Sequence, residues 1–377
     1  MTIRIAVPRE SAEGESRVAL VPQVADQLAA KGMEVRLQPG AGERAYFADG
    51  DYHGVRVVAE TVDLYGEADV VVRVQPPTPE EIDCLRPGTV LIGFLDPFGD
   101  PERVAHLRDR EITAFAMERV PRISRAQSMD ALSSQANIAG YKSALIAADR
   151  SPRFFPMLTT AAGTVRPAKV LVIGAGVAGL QAIATANRLG AMVSGYDVRP
   201  ETREQVESLG AQFLALEVAG GGEGGYAREL TPEEKQAEQE MLSDHIAGMD
   251  VVITTAAIPG KPAPKIVSEA DVTAMHPGSV VVDLAAETGG NCECTRAGET
   301  VVHEGVAVYG PRNVPSQLPV HASELYARNV ASFLELLAED GHLAPDWDDE
   351  VIAQTALTRD GRIVADNVRE RVEGGGS

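Results

Sequence analysis

A short apolar run, Lys169-Val170-Leu171-Val172-Ile173, passes directly into Gly174-Ala175-Gly176-Val177-Ala178-Gly179, and a stretch of helical character, Leu180 to Leu189, follows. The strand before and the helix after distinguish this run from glycine triplets that arise by chance in a chain with 36 glycines. In that setting Gly174 makes a tight turn, Gly176 lets the backbone approach a pyrophosphate, and Gly179 permits close packing of helix on strand. The N-terminus of that helix then faces the phosphates, its free N–H groups and the positive end of its dipole stabilising them with no lysine needed, and Val177 and Ala178 within the glycine run count among the cofactor-binding residues.

The next apolar run, Val193-Ser194-Gly195-Tyr196, ends at Asp197. An acid there accepts hydrogen bonds from the adenosine ribose hydroxyls of a bound dinucleotide and repels a 2′-phosphate, which predicts NAD(H) rather than NADP(H). Val198 and Arg199 complete that edge. Arg199 admits two readings: an arginine that accommodates a 2′-phosphate, or a solvated side chain at a helix start.

Such residues need parallel strands to hold them, and the chain supplies two series of them. The first series runs through Ile3 to Val7, the helical Gln23 to Ala30, Glu34 to Leu37, Ala68 to Val74 and Val90 to Phe94. Its joints Pro76-Pro77-Thr78-Pro79 and Asp96-Pro97 follow strands at the ends where α/β folds carry functional loops. Asp130 to Arg150 contains no proline and reads as a long connecting helix. The second series starts at Lys169 and continues through Met192 to Tyr196, Gln212 to Leu216, Asp250 to Thr254, Ser279 to Leu284 and a closing strand, Val306 to Tyr309. A glycine-rich segment, 218–239, interrupts it as an expected mobile insertion. After Pro319 a helical segment, Ser323 to Leu337, leads to an acidic tail and returns to the first domain. The expected fold is therefore α/β, with two Rossmann-like domains, parallel sheets flanked by helices and a cleft between them. The first domain is discontinuous, 1–133 plus 318–377, and 134–317 is the nucleotide domain, with a mobile loop near 218–230.

The 377 residues suit two cores, and a content of 44% hydrophobic but only 5% aromatic residues suits helices on buried parallel strands. A net charge of -21 repels nucleic acid and anionic lipid. Cys84, Cys292 and Cys294 are too few and too uneven for a disulfide framework or a zinc site, so no metal is expected. The N-terminus has no apolar signal core and no window reaches membrane-spanning length, which predicts a cytoplasmic chain. Gly374-Gly375-Gly376-Ser377 reads as a flexible tail or linker remnant.

The segment Arg122-Ile123-Ser124-Arg125-Ala126-Gln127-Ser128-Met129-Asp130-Ala131-Leu132-Ser133-Ser134-Gln135 resembles the signature loop of the NAD(H)-binding component, domain I, of proton-translocating transhydrogenases. Further agreement lies in Gly224-Gly225-Tyr226-Ala227, in Ile258-Pro259-Gly260-Lys261-Pro262-Ala263-Pro264, in Val281-Val282-Asp283-Leu284-Ala285 and in Gly289-Gly290-Asn291-Cys292, so the resemblance covers essentially the whole chain. It implies a homodimeric subunit, peripheral on the inner face of the cell membrane. Such a subunit docks on a membrane-embedded proton-channel subunit and passes hydride from NADH to NADP⁺ on a separate NADP(H)-binding subunit. Lacking both other components, the chain resembles the split form, in which the soluble portion of the alpha subunit is its own polypeptide. The resemblance further implies that Arg122, Gln127, Asp130 and Ser133 surround the nicotinamide and that Tyr226 tips a loop closing over NAD(H). Direct hydride transfer needs approach, orientation and exclusion of water rather than an acid or base. From chemistry alone, the four residues read equally well as a capped loop, with Ser128 or Asp130 as N-cap and Arg122 in a surface ion pair.

The chief rival is alanine dehydrogenase, which shares the early pattern Pro8-Arg9-Glu10 with Arg17-Val18-Ala19-Leu20. Amine oxidation needs a base and cationic groups for a carboxylate. That family's Val-Lys-x-Lys-like strand end and its histidine after Phe-Leu are replaced here by Val72-Arg73-Val74-Gln75 and Phe94-Leu95-Asp96. A third reading is a sensor that binds NAD(H) without turnover. Asp283 either contacts the far ribose or caps the next helix. His53, His106, His245, His276, His303 and His321 show no paired spacing and read as solvated or structural.

Overall fold

The computed structural model describes residues 2–215, 232–258, 260–339 and 341–374. The chain divides between two compact units, residues 1–135 with 315–377 and residues 136–314.

The first unit is built on an eight-stranded sheet. Across it lie Arg56–Val57, Glu34–Leu37, Arg4–Val7, Val70–Val72, Val90–Gly93 and Thr113–Ala116, all parallel, then Ala356–Arg359 antiparallel to Thr113–Ala116, and Arg362–Ile363 antiparallel to Ala356–Arg359. Parallel strands are covered on both faces, and their alternating residues divide accordingly. Ile5, Val7, Val70, Val72, Ile92 and Phe115 pack on one face with Tyr326 and Phe333 of the helix Pro319–Leu337. On the other, Ala6, Val71, Leu91 and Ala114 meet Leu64, Leu107, Leu357 and Val368. The strand order reverses between Arg4–Val7 and Val70–Val72, where Ile5 pairs with Val70.

The acidic C-terminal segment carries structure of its own. Asp360 and Gly361, with φ of 48° and 68°, form the two-residue turn between Ala356–Arg359 and Arg362–Ile363, as an Asp-Gly hairpin requires. This hairpin extends the first sheet beyond Thr113–Ala116. The strands Thr113–Ala116 and Arg56–Val57 were not expected from the sequence, and the strand Val70–Val72 is shorter than its apolar run suggests. The long connecting helix is Ala131–Arg150.

The second unit holds a seven-stranded sheet in the order Gln212–Leu214, Met192–Tyr196, Lys169–Ile173, Val251–Thr254, Val280–Asp283, Val306–Tyr309 and Thr300–His303. Only the last strand is antiparallel, so Val306–Tyr309 does not close the sheet. The order reverses between Lys169–Ile173 and Val251–Thr254. Alternation is again complete: Val170, Val172, Val251 and Ile253 face one core, Leu171, Ile173 and Val252 the other. The expected insertion at 218–230, including Tyr226, lies outside the described residues, as does Pro259.

Phe333 is fully buried and meets the Phe115 ring edge-on at 5.2 Å. Phe333→Ala should lower the stability of the first unit by about 3–5 kcal/mol, read as an earlier transition in guanidinium chloride. A loss below about 1 kcal/mol would mean that the helix Pro319–Leu337 contributes little to that core.

Candidate functional site

In the second unit the reversal of strand order falls at the carboxyl end of Lys169–Ile173, directly before the glycine run. A reversal of this kind leaves a crevice outside the strand ends in which open α/β sheets take ligands. Gly174 has φ +96°, and its N–H donates to the Tyr196 carbonyl at 2.8 Å. A Cβ there would lie 2.6 Å from Thr255 Oγ1, and a Cβ on Gly179 would lie 1.7 Å from the Gly174 carbonyl oxygen. Neither position can carry a side chain. Gly176 differs, because a Cβ there would meet nothing within 4 Å. The space over Gly176, at the start of the helix Val177–Arg188, is open to a phosphate.

Asp197 stands at the end of the adjacent strand. Its Oδ2 accepts from the Ala175 N–H at 2.7 Å and from Arg199 Nη2 at 3.0 Å; its Oδ1 accepts from Arg199 Nε at 3.0 Å and from the Arg199 N–H at 2.9 Å. Burial raises the pKa of this carboxyl, but the Arg199 guanidinium and the two backbone N–H groups outweigh it and hold it below its usual range. Arg199 is an exposed side chain at the start of the 3-10 helix Pro200–Thr202 and pairs with Asp197. Val198 is exposed beside it.

Two supports of the site were not expected from the sequence. A Cβ on Gly140, in the middle of the long helix, would lie 2.0 Å from the Ala178 carbonyl oxygen, so only glycine lets that helix pass the start of Val177–Arg188. The signal was a lone glycine in an otherwise good helix. Asn291 is the other: its side chain donates to the carbonyls of Ala256 and Pro264 at 2.8 and 2.9 Å and accepts from the Ala256 N–H at 3.0 Å. It clamps the loop whose Thr255 hydroxyl donates to the Gly174 carbonyl at 3.0 Å. Asp283 is fully buried and accepts from Thr254 Oγ1, Thr295 Oγ1 and the N–H groups of Ala285 and Cys292 at 2.6–3.0 Å. These bonds hold the loop that carries Asn291. Asp283 is a scaffold residue, not one exposed to a ribose.

In the first unit, Ser124–Met129 forms a short 3-10 helix. Ala126 and Met129 anchor it in the core, Asn329 Nδ2 donates to the Ser128 carbonyl at 2.8 Å, and Arg125 makes a two-bond ion pair with Asp349 at 2.8 and 2.9 Å. Asp130 is the cap of the following helix, accepting from the Ser133 N–H at 2.9 Å and the Ser133 hydroxyl at 2.5 Å. Ser128 is not the cap. Arg122 and Gln127 are exposed on the same loop, and neither side chain makes a hydrogen bond or ion pair among the described residues. The structure therefore brings Asp130 and Ser133 together and leaves Arg122 and Gln127 with unspent donors. Asn329 and Asp349, which hold the loop from about 200 residues away, could not be assigned from sequence. Among the described residues no group of His, Cys, Asp and Glu side chains could hold a metal ion.

Comparison with known proteins agrees with this architecture. The N-terminal domain model of the alanine dehydrogenase/PNT family matches residues 6–139, and the C-terminal domain model matches residues 143–366. The chain is 44% identical over 375 residues to a polypeptide of NAD(P) transhydrogenase subunit alpha from Rhodospirillum rubrum, covering 96% of this chain and 98% of that one. A crystal structure of transhydrogenase from Sinorhizobium meliloti superposes with a TM-score of 0.85 at 43% identity, covering 96% and 99% of the two chains. Alanine dehydrogenase of Bacillus subtilis is more distant, at 28% identity over 375 residues, 97% of this chain and 93% of that one. The chain belongs to the alanine dehydrogenase/PNT family and, within it, sides with the NAD(P) transhydrogenase alpha subunits rather than with the alanine dehydrogenases.

Proposed function

We propose that this chain is the NAD(H)-binding component of a proton-translocating transhydrogenase, delivering hydride from NADH to NADP⁺ held on a partner subunit. The observation that carries the reading is the loop 122–133: a rigidly anchored segment that displays Arg122 and Gln127 with unused donors beside the Asp130–Ser133 pair. The reduced nicotinamide supplies the hydride. The chain's own task is to fix ring and amide in place, and donors on an immobilised loop do that without proton transfer. Arg122 and Asp130 are suited to charge-assisted bonds, Gln127 and Ser133 to neutral ones.

Gly174, Gly176 and Gly179 hold the pyrophosphate over the N–H groups of Val177 and Ala178, and Asp197 takes the adenosine ribose. With Arg199 already committed to Asp197, a 2′-phosphate would meet a carboxylate, which favours NAD(H). Tyr226 belongs to the same proposal as the tip of a closing loop. An alanine dehydrogenase-like reading lacks support: Arg73 is fully buried and bound to Glu81 at 2.7 Å and to the Gln75 carbonyl at 2.6 Å, and Gln75 offers no base.

The homodimer is proposed on an exposed ribbon of the second unit. Leu158–Thr160 and Gly163–Val165 form a separate two-stranded sheet, and Phe154 and Met157 beside it are 58% and 64% exposed. An isolated two-stranded ribbon is marginal in water, and this apolar surface suits a second copy of the chain. No helix among the described residues is long and apolar enough to cross a membrane. Attachment to the inner face of the cell membrane is therefore proposed to run through the proton-channel and NADP(H)-binding subunits.

Three outcomes test these assignments. Asp197→Ala should weaken NADH binding by about tenfold or more, measured by calorimetry. Gln127→Asn should leave binding nearly intact but slow hydride transfer to an NADP⁺ analogue in the presence of the NADP(H)-binding partner; equal loss of both would remove its positioning role. In that assay pyruvate plus ammonium is the control acceptor, and NADH consumption by it with this chain alone would favour an amino-acid dehydrogenase. Met157→Asp with Leu158→Asp should yield a monomer by light scattering, and a retained dimer would place the interface elsewhere.

A further inference from the structure

At the outer edge of the first sheet, the helix Pro101–Asp109, the strand Arg362–Ile363 and the helix Asp366–Glu373 pack together around a surface cavity of about 500 Å³. Their apolar faces close beneath it, where Leu107, Ile363 and Val368 share one core, and Val364 stays 39% exposed on its wall. Each of the three elements sends one arginine to the cavity: Arg108, Arg362 and Arg369. Glu373, four residues beyond Arg369 on the same helix, is the acidic residue that lines it among the described residues. The chain has 55 Asp and Glu against 34 Lys and Arg, so carboxylates are plentiful, yet these guanidiniums are sparsely matched. Arg362 is exposed and makes no hydrogen bond or ion pair among the described residues. Arg108 donates through Nε to its neighbour Asp109 at 2.8 Å, and its Nη1 stands 3.9 Å from Glu373 Oε1, beyond hydrogen-bond reach. Arg369 donates through Nη2 to Asp366, one turn earlier on its own helix, at 2.6 Å. A guanidinium carries five N–H donors, so most of those facing this cavity are left without an acceptor. In a chain of net charge -21, three guanidiniums against one carboxylate reverse the sign of the charge locally and draw anions to that point.

We infer that this cavity binds small molecules carrying a phosphate monoester, with Arg362 as the principal anion-binding residue and Arg108 and Arg369 assisting it. The planar fork of arginine matches two phosphate oxygens at once, and the basic side chains lining the cavity are all arginines, with no lysine among them. The volume is in the range that holds a small organic ligand and far exceeds what an inorganic ion fills, so Ile363 and Val364 are left to meet the body of the ligand. Glu373 opposes the anion: its carboxylate faces the same space, and its long contact with Arg108 is what a phosphate displaces. All of these residues belong to the first unit, so the site is separate from the glycine turn of the second.

Titration calorimetry on the full chain without NADH tests the site independently of the hydride-transfer reading. Glycerol phosphate should bind saturably, and more tightly than inorganic phosphate. Arg362→Ala should weaken that binding by about tenfold or more, and Glu373→Gln should tighten it by about two- to fivefold. Both substituted residues are exposed, so the thermal midpoint should stay where it is in each variant. AMP also has the crevice of the second unit available to it, and its first-unit component is the part lost in Arg362→Ala. A component tighter for AMP than for glycerol phosphate assigns the site to nucleotides; equal or weaker binding assigns it to sugar and polyol phosphates. No saturable binding of glycerol phosphate, binding that Arg362→Ala leaves unchanged, or inorganic phosphate binding as tightly as the ester would overturn the inference.

Discussion

The approach of Gly179 to the Gly174 carbonyl is the contact on which the nucleotide half of the molecule depends. With 1.7 Å between a would-be Cβ and that oxygen, no side chain fits, and the helix Val177–Arg188 settles directly on the end of Lys169–Ile173. Three other elements are adjusted to this contact. Thr255 comes across from the neighbouring strand to bind the Gly174 carbonyl, Asn291 and Asp283 hold the loop behind Thr255, and Gly140 brings the long helix against Ala178. Asp197 closes the arrangement by accepting from Ala175 inside the turn. A rigid turn is what electrostatic binding of a phosphate by backbone N–H groups demands, since those dipoles cannot reorganise at low cost.

Most of the two sheets was legible because the core strands are short apolar runs; the interior strand Thr113–Ala116 was the exception. The nucleotide turn was legible because its glycines follow from hard steric limits, which leave a direct trace in residue type. Short edge strands were not, since Arg56–Val57 and Arg362–Ile363 have only two residues each and no periodicity to detect. The Asp360-Gly361 turn did leave a signal, obscured by the acidic composition around it. Asn329, Asp349 and Gln135 could not be found from sequence at all. Their work is done on residues far along the chain, and polar side chains on helices give no sign of which distant carbonyl or guanidinium they will meet.

Sequence position left the partners of charged groups open. Arg199 and Asp283 each admitted two readings; in the fold Arg199 is an exposed partner of Asp197, and Asp283 is buried among donors of its own loop. Arg17 is another case: a lone arginine in the sequence looks available, and in the fold it is one half of a buried pair. Spacing locates a charged group along the chain, but only the packed structure shows whether another residue has already neutralised it.

The division of the first unit into residues 1–135 and 315–377 imposes an order on its birth. Until the later segment emerges from the ribosome, one face of the first sheet lacks Tyr326 and Phe333, and Thr113–Ala116 is an open parallel edge awaiting Ala356–Arg359. The Tyr326 hydroxyl that donates to the Arg73 carbonyl must close a separation of 253 residues. The second unit is continuous and can fold as soon as it is made, so nascent chains pass through a stage with one finished unit and one uncovered apolar sheet. Open edges and exposed sheet faces are what chaperones bind and what aggregates grow from. The yield of folded protein should therefore be limited by the return of the last sixty or so residues, not by assembly of the nucleotide site.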